Sequence, residues 1–526
     1  MRDFHLPGRS PVFSANGMCA TSHPLAAKVA VQMLESGGNA ADAAIAGAVL
    51  LGLCEPQMTG IGGDCFALIK PAGDERIVAL NGSGRAPAGL TGAALRAEGH
   101  AAMPIFHHHA VTVPGAVDAF CRMSGDYGVK GLDAVLAPAI RYAEEGIPVA
   151  PRVAFDWQNN VGNLQGAGIE FYSDGGRAPQ AGQVFHHAPQ AEVLRRIAAQ
   201  GRDAFYTGEI AEDMVGALQA LGGTHTLDDF AGTEATYHDP ICGAYKGIEL
   251  VEHPPNGQGA TAILLNNILS HFDLPAMDPF GTMRAHIEAE ATKLAYDARV
   301  RFLGDFDHTT RLAHMLDPAT AAKLAALIDP AKAMPSARAV SEAVHKETIY
   351  ITVVDKDRMA VSLIYSIFKD FGSGIASPKF GVLFHNRGAG FTLEEGHPNE
   401  VNPGKRPMHT IIPAMLRENG KVSMSFGVMG GQYQSTGHAR FLTNIVDFGM
   451  DPQAAIDGPR CFDEFGDMKV EKGYSDAVRQ ELDDLGHKVV VPLNGIGGAQ
   501  AIRIDHDTGV LEGGSDPRKD GCALGY

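Results

Sequence analysis

Two hydroxyl side chains, Thr348 and Ser366, bracket the segment TIYITVVDKDRMAVSLIYS. Alternating apolar and β-branched residues flank a charged turn, the pattern of a β-hairpin. Pairing the two runs symmetrically about Asp357 sets Val354 against Ala360, Thr352 against Ser362 and Thr348 against Ser366. The loop is then Lys356 to Arg358, a length that hairpins use. A slip of one residue would exchange the faces; in the symmetric register two hydroxyls meet at the open end. A Thr hydroxyl alone is a poor nucleophile and needs an adjacent base. Scission of the peptide bond before Thr348 would supply one. The freed α-amine has a reference pKa of about 7.7–8, so a fair fraction is unprotonated near neutral pH. Strands that open on Thr are common, so this segment alone marks no site.

The surrounding chain predicts the elements that would hold such a group. Residues 24–56 read as two Ala-rich helices split at Gly37-Gly38-Asn39, the second apolar nearly all round and therefore buried. A Gly-rich turn, Gly60 to Gly63, leads into a strand over Cys65 to Lys70, with a second strand in ERIVALNGSG. Residues 130–220 are mostly helical, 240–252 read as strand, and GATAILLNNILSHF and AHIEAEATKLAYDARVRFLGD read as helices. Residues 317–346 give a helix and then a poorly patterned Pro/Ser/Ala-rich tail, the expected exposed linker. Beyond it, residues 348–430 are strand-rich (TIYITVVD, AVSLIYSIF, GVLFHN, TIIPAMLRENGKVSMSFGV), and Gln432 to Phe448 read as a helix. Strands followed by helices without regular βαβ alternation favour an α+β layered fold.

Composition narrows the partners. The formal charge of -18, with no basic cluster, argues against nucleic acid or an anionic membrane. The seven cysteines are odd in number and contain no CxxC, which predicts reduced, buried thiols. With no apolar run near the ~20 residues of a membrane span and no signal-like start, the expected location is cytoplasmic. His107-His108-His109 could suggest a metal, but adjacent residues on one loop are not expected to aim at one ion, so no metal site is expected. GIGGD lacks the context of a phosphate loop and reads as tight packing beneath the site.

Longer stretches carry a family resemblance. GGNAADAAIAGAVLLGLCEPQMTGIGGDCF, TIYITVVDKDRMAVSL, FGSGIASPKFGVLFHNRGAGF and GVMGGQYQSTGHARFLTNIVDFGMDPQAAIDGPR together resemble the γ-glutamyltransferase family of N-terminal nucleophile hydrolases, in the same order along the chain. The resemblance implies a four-layer αββα sandwich made as one precursor that cuts itself. Cleavage between Glu347 and Thr348 would give a large subunit, residues 1–347, and a small one, 348–526, held in one globular unit. Thr348 would be the nucleophile. Ser366 stands where the family carries a second Thr that hydrogen-bonds it. Gly430 and Gly431, in the family's Pro-Gly-Gly position, would offer backbone N–H groups to an oxyanion, where the absence of a Cβ allows close approach. His409-Thr410 occupy the place of a Ser-Ser pair that contacts the substrate carboxylate.

The recognition residues depart from the family pattern. The Arg that holds a substrate carboxylate is replaced by Ser83, with Arg85 two residues later. The Asp that holds the substrate ammonium falls at Gly390 in HNRGAGF, and Arg387 stands where Gln or Glu is common. Arg387 or Arg85 could still pair a carboxylate, and if the register slips locally another acid, Asp64 or Glu55, could contribute in place of the missing Asp. The expected activity is an autoprocessed amidase or acyltransferase needing no cofactor. Its acyl donor is a γ-glutamyl amide such as glutathione or, alternatively, an oxamate-type or glutaryl-type amide without the α-amino group. Water or an amino acid or peptide would accept the acyl group, and a homodimer or higher oligomer is left open. An uncut, inactive relative serving as a structural or binding protein is the non-enzymatic alternative.

Overall fold

The structure, a computed structural model, describes His5, residues 8–335 and residues 348–526. Glu347 and the tail expected near residues 336–347 lie outside the described residues.

Two seven-stranded sheets face each other. The first runs, edge to edge, through Cys522–Gly525, Met18–Thr21, Ile349–Val354, Ala360–Ser366, Asp64–Lys70, Val78–Gly82 and Thr236–His238. The second runs through Val12–Ser14, Leu511–Ser515, Gly498–Ile504, Lys421–Met429, Ala414–Glu418, Ile248–Glu252 and Ile241–Tyr245. Every neighbouring pair in both sheets is antiparallel. Strand periodicity sorts the side chains. Ile349, Ile351 and Val353 join the helices Pro24–Glu35 and Ala40–Cys54 in one core. Tyr350 and Val354 turn the other way and pack against Met429 and Met415 of the second sheet. The outer face of that sheet is covered by Gly259–Leu269 and Gln434–Val446. The result is a four-layer αββα sandwich.

The central hairpin has the predicted register. Val354 pairs with Ala360 and Thr352 with Ser362. Asp355 N–H closes the loop on the Met359 carbonyl, 3.1 Å away. Arg358 takes φ 61°, the left-handed residue that a three-residue loop requires. The strands sit on the helix Ala40–Cys54, which starts at a capping box between Asn39 and Asp42 and is buried along its whole length.

Two expectations are corrected. Residues 240–252 form two strands, not one, because Lys246 and Gly247 adopt φ 47° and 89° and fold the segment into a hairpin. GVLFHN is not a strand; only a lone bridge, Ala376 to Leu383, forms there. Positive φ values at Phe368, Phe371, Gly372, Gly374 and Gly381 coil this stretch, and Phe371, Ala376 and Leu383 pack around Trp157. All seven cysteines are free. Among the described residues no helix is long and apolar enough to cross a membrane.

Candidate active site

The hairpin delivers its two hydroxyls to one end of the sandwich. Tyr350 and Thr352 face the gap between the sheets, and strand alternation puts Thr348 on that face as well. Ser366 pairs with Asp64 in the next strand. Continuing the observed registers places Thr348 opposite Ser366 and Ser83 opposite Asp64. Thr348, Ser366, Asp64 and Ser83 therefore form one polar row across four strand ends, all buried.

Hydrogen-bond accounting orients the pair. Thr348 Oγ1 lies 3.3 Å from Ser366 Oγ. Ser366 Oγ already accepts the Phe368 N–H at 2.8 Å and Arg387 Nη2–H at 3.2 Å. A hydroxyl has two acceptor positions and one proton, so the Ser366 proton is left to donate to Thr348.

Arg387 opens the short turn Arg387–Gly390 and is fully buried. Its guanidinium lies over the Phe368 ring at 4.1 Å, donates from Nη1 to Thr410 Oγ1 at 3.3 Å, and stands 4.0 Å from Asp64 Oδ2. Burial lowers its pKa to about 9, with the Asp64 charge opposing.

Asp64 is the hub. Oδ1 accepts the Gly84 N–H at 3.0 Å and the Gly115 N–H at 3.4 Å. Oδ2 meets His409 Nε2 at 3.2 Å and His385 Nδ1 at 3.5 Å. Burial pushes the carboxyl upward, but His385 and His409 outweigh it and hold Asp64 well below the ordinary carboxylate range. Burial, then the Arg387 charge, push His409 down to about 3, so it is neutral.

The second sheet supplies the facing wall. Gly430 and Gly431 follow the strand Lys421–Met429 with φ 125° and 55°, and a Cβ on Gly430 would stand 2.8 Å from Gly497 Cα. Gln258 Nε2 donates to the Gly431 carbonyl at 3.2 Å and the Thr410 carbonyl at 2.6 Å, while its Oε1 accepts Arg299 Nη1–H at 2.6 Å. Polar contacts thus run unbroken from Gly431 through Gln258, Thr410, Arg387 and Ser366 to Thr348.

The structure brings together Thr348, Ser366, Arg387, His409 and Thr410. Ser83 lies beyond Asp64, where its hydroxyl accepts Asn256 Nδ2–H at 3.1 Å. Arg85 stays apart, half-exposed, donating to the Gly404 carbonyl at 2.8 Å and 3.5 Å from Asp305. Sequence reasoning offered Asp64 only as a possible replacement acid, not as the hub, and it missed His385, Gln258 and Arg299. The one available signal was Asp64 at a strand start, and its partner Ser366 lies far along the chain. The expectation for the three adjacent histidines is also corrected. The short turn His108–Ala110 gathers ring nitrogens of His107, His108 and His109 to within 4.8 Å of one another.

Comparison with known proteins gives a concordant result. The family described as Gamma-glutamyltranspeptidase matches residues 26–526. The glutathione hydrolase-like YwrD proenzyme of Bacillus subtilis is 35% identical, over 98% of this chain and 99% of its own. The oxamate amidohydrolase proenzyme of Klebsiella pneumoniae is 34% identical over the same shares. The crystal structure of cephalosporin acylase from Bacillus halodurans superposes with a TM-score of 0.93 at 36% identity, covering 100% of this chain and 99% of that one.

Proposed function

The chain belongs to the γ-glutamyltranspeptidase family of hydrolases and transpeptidases, and from that premise we propose an autoprocessed amidase. Its acyl donor bears a carboxylate but no α-ammonium. Scission between Glu347 and Thr348 frees the Thr348 amine. Thr348 Oγ1 attacks the amide carbonyl while that amine takes the hydroxyl proton. The N–H groups of Gly430 and Gly431 receive the oxyanion. The C–N bond breaks, the leaving amine takes the proton, and water then cleaves the acyl ester to regenerate Thr348. Ser366 fixes the nucleophile through its single donated proton.

The observation that carries the substrate reading is the state of the two charges beside the nucleophile. Arg387 is a buried cation in contact with Ser366. Asp64, the carboxylate beside it, has both oxygens engaged by backbone amides and histidines. At Gly390, a Cβ would stand 2.6 Å from the Met408 carbonyl, so the position has no room for a longer acid. Arg387 can pair an anion, and among the described residues beside the nucleophile Asp64 is not free to hold an ammonium, which supports a donor without the amine. Glutaryl-type and oxamate-type amides fit this chemistry. A γ-glutamyl amide is the second reading, favoured by the full-length likeness to the glutathione hydrolase-like proenzyme.

Two measurements test the proposal. A denaturing gel of the purified protein should show fragments of 347 and 179 residues, and Thr348→Ala should remain one band. A panel of γ-glutamyl, glutaryl and oxamate-type amides should give its highest kcat/KM with a donor lacking the amine. Turnover confined to γ-glutamyl donors overturns the substrate reading, and an intact but fully active chain overturns the mechanism.

A further inference from the structure

Outside the polar row, three groups of side chains among the described residues have the composition and spacing of a metal site, and the one that opens to solvent through an exposed carboxylate is built around Glu98, His100 and His109. Glu98 caps the helix Gly92–Ala97, and His100 follows it by two residues. His109 enters from the turn His108–Ala110. Its Nε2 lies 3.0 Å from Glu98 Oε2, and His100 Nε2 lies 3.7 Å from the same oxygen. Donors about 2.0–2.1 Å from a tetrahedral zinc ion stand roughly 3.3 Å from one another, and these two separations bracket that value. The donor atoms of Glu98, His100 and His109 all lie within 4.8 Å of each other. His107 is the nearest fourth donor, its ring centroid 4.6 Å from that of His109 and 6.1 Å from that of His100. Its Nδ1 accepts the His109 N–H at 3.3 Å, which leaves Nε2 for a ligand.

Two imidazoles and a carboxylate, with a third imidazole beside them, suit a borderline-soft divalent ion rather than calcium or magnesium. His109 is buried, His100 is half-buried and Glu98 is exposed, so an ion could enter from solvent. We propose that Glu98, His100 and His109, with His107, bind one divalent transition-metal ion of the zinc class.

The position of the group gives the ion a structural consequence. The turn carrying His109 packs on the turn carrying Arg387: a Cβ on Gly388 would stand 2.8 Å from the Ala110 carbonyl. Two residues on, the Thr112 carbonyl stands 2.8 Å from Nε2 of His385, the neighbour of Asp64. An ion that ties His109 to Glu98 and His100 would brace both contacts from behind.

The test uses the full-length protein stripped with a chelator, titrated with Zn²⁺ by calorimetry and with Co²⁺ by visible absorption. One equivalent of Zn²⁺ should bind with micromolar affinity or better, and Co²⁺ should develop d–d bands of a nitrogen-and-oxygen site. Glu98 and His100 lie on the accessible side, so Glu98→Gln and His100→Ala should leave the fold intact, checked by an unchanged urea midpoint. Each should weaken Zn²⁺ binding by about ten-fold or more, and the double variant should lose the Co²⁺ bands. His487→Ala, which alters a separate buried group with His286 and Glu290, should bind as the parent does. Parent-like Zn²⁺ affinity in the double variant, or affinity weaker than millimolar in the parent, overturns the proposal.

Discussion

Asp64 and Glu55 are two carboxylates at either end of the same Gly-rich stretch, both buried, and the fold shifts their pKa values in opposite directions. Burial pushes each of them upward. Asp64 answers it with two backbone N–H donors, two histidines and the Arg387 guanidinium, and stays ionised. Glu55 accepts the Ser22 hydroxyl and is favoured by the Lys519 charge, but burial, with Asp520 and Asp156 adding to it, outweighs them and its pKa rises to about 7. Both are buried; the histidines and backbone donors around Asp64 outweigh burial, whereas the groups around Glu55 do not. A fixed anion can orient Arg387 and His409, whereas a carboxyl that titrates near neutrality cannot serve as a constant reference charge.

The sharpest way to break this contrast is Asp64→Asn, which keeps the shape and removes the charge. Arg387 and two histidines then face a neutral amide whose N–H₂ group duplicates their donors. Removing one partner of a buried, hydrogen-bonded charge pair costs about 3–5 kcal/mol. Urea denaturation should show a loss of that size, with kcat/KM down ~10²-fold or more as Arg387 and Ser366 lose their alignment. Stability within about 0.5 kcal/mol of the parent would mean that Asp64 is not the hub.

Arg387→Gln tests the partner of that fixed charge. Charge-assisted hydrogen bonds are worth about 1.5–3 kcal/mol, so KM for a carboxylate-bearing donor should rise ~10–100-fold with a smaller change in kcat. The parent has a matching pH signature. Arg387 is cationic below about 9, so KM should climb as pH rises through that value. The rising limb of kcat should instead follow the Thr348 amine, near its reference value of about 7.7–8. In Arg387→Gln the alkaline rise in KM should vanish while the kcat limb remains. A rise that survives the substitution assigns the titration to another group.

These residues also show where sequence reasoning reaches and where it stops. Thr348 and Ser366 could be paired from the sequence because the hairpin is local and its period fixes the facing residues. Arg387, His409 and Thr410 entered only through the family resemblance, since nothing in HNRGAGF or PMHTIIP predicts that these loops meet. The sequence offers Asp64 only as a possible replacement acid and not as the hub, because the pairing of Asp64–Lys70 with Ala360–Ser366 spans some three hundred residues and leaves no local periodic trace. The helix Ala40–Cys54 was legible from its Asn39 cap and uniformly apolar surface. GVLFHN is not a strand because Leu383 packs around Trp157 while Val382 and Phe384 join the core of the Ala40–Cys54 helix, all from a coiled backbone where tertiary contacts override strand propensity.

The smallest expected effect comes from the other half of the pair. Glu55 has a folded pKa of about 7 against an ordinary 4.5, so the folded state binds its proton more tightly than the unfolded chain does. The stability this group contributes is fully present below the unfolded value and is lost as pH rises through about 7. Asp64, held low, has the opposite sign: its contribution is present at neutral pH and is lost only as pH falls into strong acid. Urea midpoints measured between about pH 5 and pH 8 should therefore contain a decline of about 2 kcal/mol that belongs to Glu55. Glu55→Gln keeps an acceptor for the Ser22 hydroxyl and cannot ionise, so the parent-minus-variant difference should trace that decline while kcat/KM stays within about two-fold. Parallel parent and variant curves would show that Glu55 is ionised in the folded protein. The donors around Asp64 would then no longer be what separates the two carboxylates.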